Sequence, residues 1–357
     1  MPDIAGTADA WGAIGALPAI VWLGAFAVCV LVLRGLSPLI GNFAVAVPTQ
    51  RSSHTAPTPQ WGGLGICAGA FAAIVIAVLA SGIFAPEVQS QVMIVVIAAL
   101  MLMVLGAVDD LRHLGPGSKL GVQALAVAMM LTALPDDMRA LPIAPLWLER
   151  GLLFFGALWF VNLVNFMDGI DWMMVAEVVP VTAGVAIIGA LGALPPEALV
   201  VALALNGAML GFAPFNRPVA RLFMGDTGSL PIGLLLAWLL IVVAASGHPV
   251  AALLLPLYFL ADTGITLLRR ARAGDRLWVA HRTHFYQRAR DNGFTTGGII
   301  ARVFAVNVAL VLLASLSVTA ASRASHVLAL LGGVCLVGWL MVDFARPRHG
   351  EERDLGA

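Results

Sequence analysis

The sequence predicts an all-α integral membrane protein, a polytopic bundle of about eleven transmembrane helices. Hydrophobic residues make up 60% of the 357 and charged residues only 11%, whereas a soluble chain carries about 25% charged residues. Apolar runs long enough to cross about 30 Å of hydrocarbon recur along the whole chain. Between them, polar motifs and basic residues gather on one side. No repeat, low-complexity segment or soluble domain interrupts the pattern, so residues 1–357 read as one polytopic membrane domain with a basic loop, 269–298, inside it.

In chain order the runs are 17–33, 62–84, 91–108, 119–134, 151–167, 173–193, 197–214, 229–246, 250–268, 299–320 and 326–344. Residues 1–16 contain no Lys or Arg and so lack the basic start of a cleavable signal peptide. Cys29, Cys67 and Cys335 all fall within apolar runs, without disulfide or metal spacing, and read as small buried hydrophobes. Numbering the gaps alternately from an outside N-terminus puts seventeen basic residues on one side and three, Arg139, Arg150 and Arg323, on the other. By the positive-inside rule the crowded side is cytoplasmic, as is the C-terminus.

The polar motifs all fall on that cytoplasmic side. Arg51-Ser-Ser-His54 and Pro57-Thr-Pro59-Gln-Trp-Gly62-Gly63 occupy the first cytoplasmic loop. Asp109 and Asp110 end the third run, at the partially negative pole of a helix, where adjacent carboxylates are unfavourable. Lys119, the only lysine in the chain, opens the fourth run and suits a phosphate-binding point charge. The fifth run ends in Asn162-Leu-Val-Asn165-Phe-Met-Asp168-Gly-Ile-Asp171, a polar ladder at a spacing of about three that forms one slowly turning ridge on a helix. Ionisable residues at the edge of hydrocarbon mark functional sites. Misplaced carboxylates on one membrane face call for a cation, and all-oxygen ligation suits Mg²⁺ or Mn²⁺.

Phe223-Met-Gly225-Asp226-Thr-Gly228-Ser229 precedes the eighth run. There Asp226 is expected to be the N-cap, beside a helix N-terminus suited to phosphate. The loop 269–298 holds seven Arg and two His, and grips anionic lipid headgroups in its plainest reading. Within it, Arg282 with His281 and His284 suits phosphate recognition better than a metal. Asp262 is expected either to pair with Arg269 and Arg270 or to face the site.

Taken together, the five motifs, in this order and on one face, resemble the polyprenyl-phosphate N-acetylhexosamine-1-phosphate transferases. The resemblance runs from about Arg51 to Gln287. It implies that polyprenyl (undecaprenyl) phosphate attacks a UDP-N-acetyl-hexosamine and releases UMP, with Mg²⁺ required, at the cytoplasmic face of a bacterial inner membrane. It also implies that Asp226 and Asp168 ligate the metal and that Asp109, Asp110, Asp168 and Asp171 form the catalytic set. Lys119, Asn162, Asn165, Phe223, His281, Arg282, His284, Arg51 and His54 are the implied substrate contacts. Membrane lipid is the other expected partner, a homodimer is compatible with the sequence, and no nucleic acid is expected.

The sequence departs from the family pattern in two places. Trp172-Met173-Met174 stands where small residues are usual, and Trp61 replaces a residue often small. The motif His281-Arg-Thr-His284-Phe-Tyr-Gln287 lacks the consecutive histidines of the phospho-N-acetylmuramoyl-pentapeptide transferases and looks more like the O-antigen-initiating branch. The pentapeptide transfer reaction is the alternative within the family. A secondary transporter is the alternative outside it, disfavoured because its acids would sit near the midplane of repeated halves.

Overall fold

The computed structural model describes residues 15–40, 45–46, 57–275, 282–320 and 322–348. Arg51, His54 and His281 lie outside the described residues. Apart from one two-stranded ladder, the described secondary structure is helical. The helices are α1 (Leu17–Ile40), α2 (Gly62–Ala80), α3 (Pro86–Arg112), α4 (Pro116–Thr132), α5 (Leu146–Met167), α6 (Met173–Ala190) and α7 (Pro196–Phe212). They continue as α8 (Asp226–Ala245), α9 (Pro249–Leu254), α10 (Leu257–Arg272), α11 (Phe285–Asp291), α12 (Thr296–Ala320) and α13 (Arg323–Ala345). Strands β1 (Val45–Ala46) and β2 (Thr58–Pro59) pair antiparallel, with Val45 opposite Pro59.

Sequence chemistry explains several helix starts. Pro86, Pro116, Pro196 and Pro249 stand in the first turn of their helices, where a missing N–H costs nothing. α8 is the centre of the bundle: every residue from Thr227 to Val243 is buried, as expected of a helix apolar on all sides. α3, α5, α2 and α9 pack around it, while α1 packs on α7 and α2, and α12 joins α6 to α13.

Every predicted run falls on helix. Eight helices are long and apolar enough to cross a membrane, in keeping with a multi-pass membrane protein. Three runs differ from the expectation. α4 and α7 have only 17 residues each, short of the ~20 that a span usually needs. The run 250–268 is not one helix but two, α9 and α10, separated at Leu255-Pro256. Pro256 has no N–H to donate and crowds the preceding turn. α10 then carries its positive charge on the last turn, in Arg269, Arg270 and Arg272.

Candidate functional site

The end of α3, the start of α4, the end of α5 and the start of α8 meet at one end of the bundle. α3 closes through His113, a left-handed residue (φ 46°) whose N–H returns to the Asp109 carbonyl at 2.9 Å. As neighbours on α3 the two aspartates point about 100° apart. Asp109 Oδ1 accepts the Leu114 N–H at 2.7 Å, and its Oδ2 accepts Lys119 Nζ at 2.8 Å.

Asp110 points instead at α8. Its carboxylate accepts the N–H groups of Asp226 (3.0 Å) and Thr227 (3.1 Å) and the Thr227 hydroxyl (2.7 Å). An acid unfavourably placed at the end of α3 thereby sits at the positive pole of α8. This corrects two expectations. The N-cap position of α8 is Gly225, with Asp226 the first helical residue. Asp110 also takes the first two N–H groups of α8, so that helix end does not offer them to a phosphate. Gly106, one turn before Asp110 on α3, makes the approach feasible, because a Cβ there would strike the Asp226 carbonyl.

Freed from capping, the Asp226 side chain turns to the site. Its Oδ2 accepts Lys119 Nζ at 2.6 Å, and its Oδ1 accepts Asn165 Nδ2 at 2.7 Å. Asn165 Nδ2 also reaches Ser229 Oγ at 2.8 Å. Lys119 is thus clamped between Asp109 and Asp226, each partner about one-fifth or less exposed.

Beside this clamp lies a cavity of about 610 Å³. Of the residues singled out in the sequence, Asp110, Asn165, Asp168, Asp171, Phe223 and Asp226 line it. Asp168 follows the last residue of α5, and among the described residues no protein donor reaches its carboxylate. Burial in the wall, then the negative charges of Asp226, Asp110 and Asp171, push that carboxyl up to about 7. Asp171 Oδ2 accepts the Ala220 N–H at 3.0 Å and so ties the turn after α5 to the loop that carries Phe223. Phe223 is itself fixed through its backbone, its N–H on Pro59 O at 2.8 Å and its carbonyl on Gly62 N at 2.9 Å.

Other expected contacts stand away from the cavity wall. Asn162 Nδ2 bonds Gln123 Oε1 (2.9 Å) and the Leu158 carbonyl (2.8 Å), joining α5 to α4. His284 is buried, with its Nδ1 donating to Asp262 Oδ1 at 3.0 Å, and Arg282 pairs with Asp291 at 3.1 Å. Asp262 neither meets Arg269 and Arg270 nor lines the cavity; it is fully buried under residues 284–286. Trp172, which opens the bulky departure from the family pattern, donates Nε1–H to the Ala213 carbonyl at 2.7 Å and packs against the core. Met173 and Met174 are buried behind it. The large residues after Asp171 therefore fill the bundle and not the cavity.

Gln60 and Gln287, each a member of a sequence motif given no individual role, are also in the cavity wall, as are Asn216, Arg221 and Arg290, which belong to none of the motifs. Asn216 accepts the Trp172 N–H at 2.8 Å and donates to the Leu222 carbonyl at 2.9 Å, holding the loop in place. Gln287 and Arg290, three apart on α11, share one helix face, a spacing visible in the sequence.

A many-helix membrane bundle with a polar, carboxylate-walled cavity at one end of its helices defines the class of this protein. The sequence model of glycosyl transferase family 4 matches residues 92–244, the segment from early α3 to the end of α8. Decaprenyl-phosphate N-acetylglucosaminephosphotransferase of Mycolicibacterium smegmatis is 31% identical over 302 residues, covering 72% of this chain and 74% of the relative. A Bacillus subtilis protein named "Probable undecaprenyl-phosphate N-acetylglucosaminyl 1-phosphate transferase" is 27% identical over 289 residues (76% and 78%). Phospho-N-acetylmuramoyl-pentapeptide-transferase of Enterococcus faecalis is 28% identical over 240 residues (63% and 72%). The chain belongs to glycosyl transferase family 4.

Proposed function

We propose that this protein transfers an N-acetylhexosamine 1-phosphate from a UDP-sugar to polyprenyl phosphate at the cytoplasmic face of a bacterial inner membrane. The names of the relatives support the reaction class. The one observation in this chain that carries the reading is the Lys119 clamp between Asp109 and Asp226, beside a cavity that holds an unpartnered Asp168. Phosphoryl transfer needs positioning and charge neutralisation more than covalent help from the protein.

In this reaction an oxygen of the lipid phosphate bonds to the sugar-bearing phosphorus, and the bond from that phosphorus to the oxygen of the departing UMP breaks. A phosphate monoester has a second pKa of about 6, so the nucleophile is already largely dianionic at neutral pH. Asp109 has one oxygen on Leu114 N and the other on Lys119. That engagement favours an electrostatic role, holding Lys119, over proton abstraction. Lys119 lends its charge to phosphate oxygens, while Asn165 orients Asp226. Phe223 offers an apolar face to the uracil, and Arg221 and Arg290 supply charge-assisted donors at the wall.

The donor set fits Mg²⁺. Among the described residues no three acidic, His or Cys side chains converge as a ready-made metal cluster. Mg²⁺, however, characteristically takes one or two carboxylates and completes its shell with water and substrate phosphates. Asp226 and the donor-free Asp168 would hold it. When bound, the ion neutralises charge on the pyrophosphate.

The test is UMP release from purified protein with undecaprenyl phosphate, Mg²⁺ and a panel of UDP-N-acetyl-sugars, with Asp226→Ala alongside. Lipid-dependent UMP that disappears in the variant supports the assignment and names the sugar. Release only with the UDP-N-acetylmuramoyl-pentapeptide donor would move the protein to peptidoglycan precursor synthesis. No release from any donor by folded protein would overturn the assignment.

A further inference from the structure

We infer that Asp262 is a positioning residue, which sets the cavity-facing side chains of α11 from a buried point outside the cavity. This rests on the reaction proposed above. Asp262 is fully buried on α10, yet its carboxylate accepts five donors. Three come from consecutive residues at the start of α11: His284 Nδ1 (3.0 Å), Phe285 N (3.0 Å) and Tyr286 N (3.3 Å). Tyr258 Oη (3.2 Å) and Thr266 Oγ1 (3.4 Å), from the carboxylate's own helix, hold it from below.

A charge taken out of solvent persists only when its hydrogen bonds are made, and here most of them are spent on one seven-residue helix. So short a helix has little stability of its own. Its position therefore depends on what grips its ends, and Asp262 grips the first turn. Two side chains then carry that position to the cavity. Gln287 takes the His284 N–H on its Oε1 (3.3 Å) and donates from Nε2 to Tyr286 Oη (3.1 Å), while itself lining the wall. Tyr286 Oη donates to the Phe166 carbonyl at 3.3 Å, two residues before Asp168. The hydroxyl lies so close to Gly169 that any Cβ there would collide with it. Asp262 thus reaches both Gln287 and the turn that bears Asp168, without touching the cavity.

The test uses the full-length protein in lipid nanodiscs. Asp262→Asn keeps the shape but turns an NH₂ toward groups that are themselves donors. Amide hydrogen exchange at residues 285–287 should rise at least tenfold, with α12 unchanged. The kcat for UMP release should fall at least tenfold in Asp262→Asn and in Gln287→Ala. The double variant should lose little beyond Gln287→Ala alone, because coupled residues fail to add. Full additivity of the two losses would overturn the inference, as would unchanged exchange at 285–287. Should Asp262→Asn not fold, Tyr286→Phe takes its place in the same cycle. It keeps the grip on the helix start and removes only the hydroxyl relay, and additivity with Gln287→Ala again overturns the inference. Wild-type protein silent with every donor would sink the reaction assigned above, while the exchange measurement would still decide whether Asp262 fixes α11.

Discussion

Replacing Asp168 by Asn should make the metal-free protein more stable at alkaline pH, even as it abolishes activity. The folded-state carboxyl titrates near 7 against an ordinary value of 3.8, because the wall buries it and Asp226, Asp110 and Asp171 repel its charge. A raised carboxyl pKa means that the folded state holds its proton over a range where the unfolded chain has lost it. Stability therefore falls as pH climbs from about 4, and the loss is complete above about 7. Each tenfold change in proton affinity corresponds to about 1.4 kcal/mol, which bounds the loss near about 4 kcal/mol. The cavity admits solvent, and screening of the surrounding charges brings the figure to about 1–2 kcal/mol. Asparagine carries no charge and escapes this loss. Thermal unfolding in detergent with EDTA should give equal midpoints at pH 4, and a variant higher by on the order of 1–3 °C at pH 8. Added Mg²⁺ should then raise the wild type more than the variant and shrink the gap. A variant no more stable than wild type at pH 8 without metal, or a gain independent of pH, would refute the repulsion on which the cation site rests.

Other substitutions test the neighbouring contacts. Asp109→Asn should lower UMP release on the order of a hundredfold at every pH, from loss of the charge that holds Lys119; strong recovery at high pH would instead identify a general base. Gly106→Ala drives a methyl into the backbone at the start of α8, and should cost about 1–3 kcal/mol on denaturation. The same variant should depress activity at least tenfold; wild-type behaviour would mean that the two helices separate freely. Trp172→Gly should lower the unfolding midpoint through loss of the bond to Ala213, yet leave the order of preference among UDP-sugars unchanged. A reordered preference would put that side chain back at the substrate.

How much of this was legible in the sequence depended on range. Hydropathy found the apolar helices but not the short polar α11, because mean hydropathy is a property of each segment alone. It missed the interruption at Pro256, since two residues hardly change the average of a long window. The Asn/Asp ladder was recognisable, but a spacing of three falls about 60° short of a full turn at each step. Asn162 and Asp168 therefore face different neighbours, and Asn162 turns to Gln123 on α4. The role of Asp110 was hidden for another reason. Its partners lie 116 and 117 residues further along the chain, and no local pattern announces that one helix will cap another. Likewise Asp262 suggests either a partner for the arginines on its own helix or a place at the site, whereas three of its five donors come from the far side of the basic loop and the other two are uncharged hydroxyls of its own helix. The bulky run from Trp172 to Met174 could be placed in the bundle only once Ala213 and Asn216 were seen beside it.

The solitary lysine has a practical corollary. Apart from the α-amino group, Lys119 is the only primary amine in the chain, and its side chain is 22% exposed, at the junction of three helices. Reductive methylation with ¹³C-formaldehyde would give a membrane protein of 357 residues a single side-chain dimethylamine resonance, located between Asp109 and Asp226. Nucleotides, lipid phosphates and divalent ions could then be titrated against that one signal, with no residue exchanged and no turnover required.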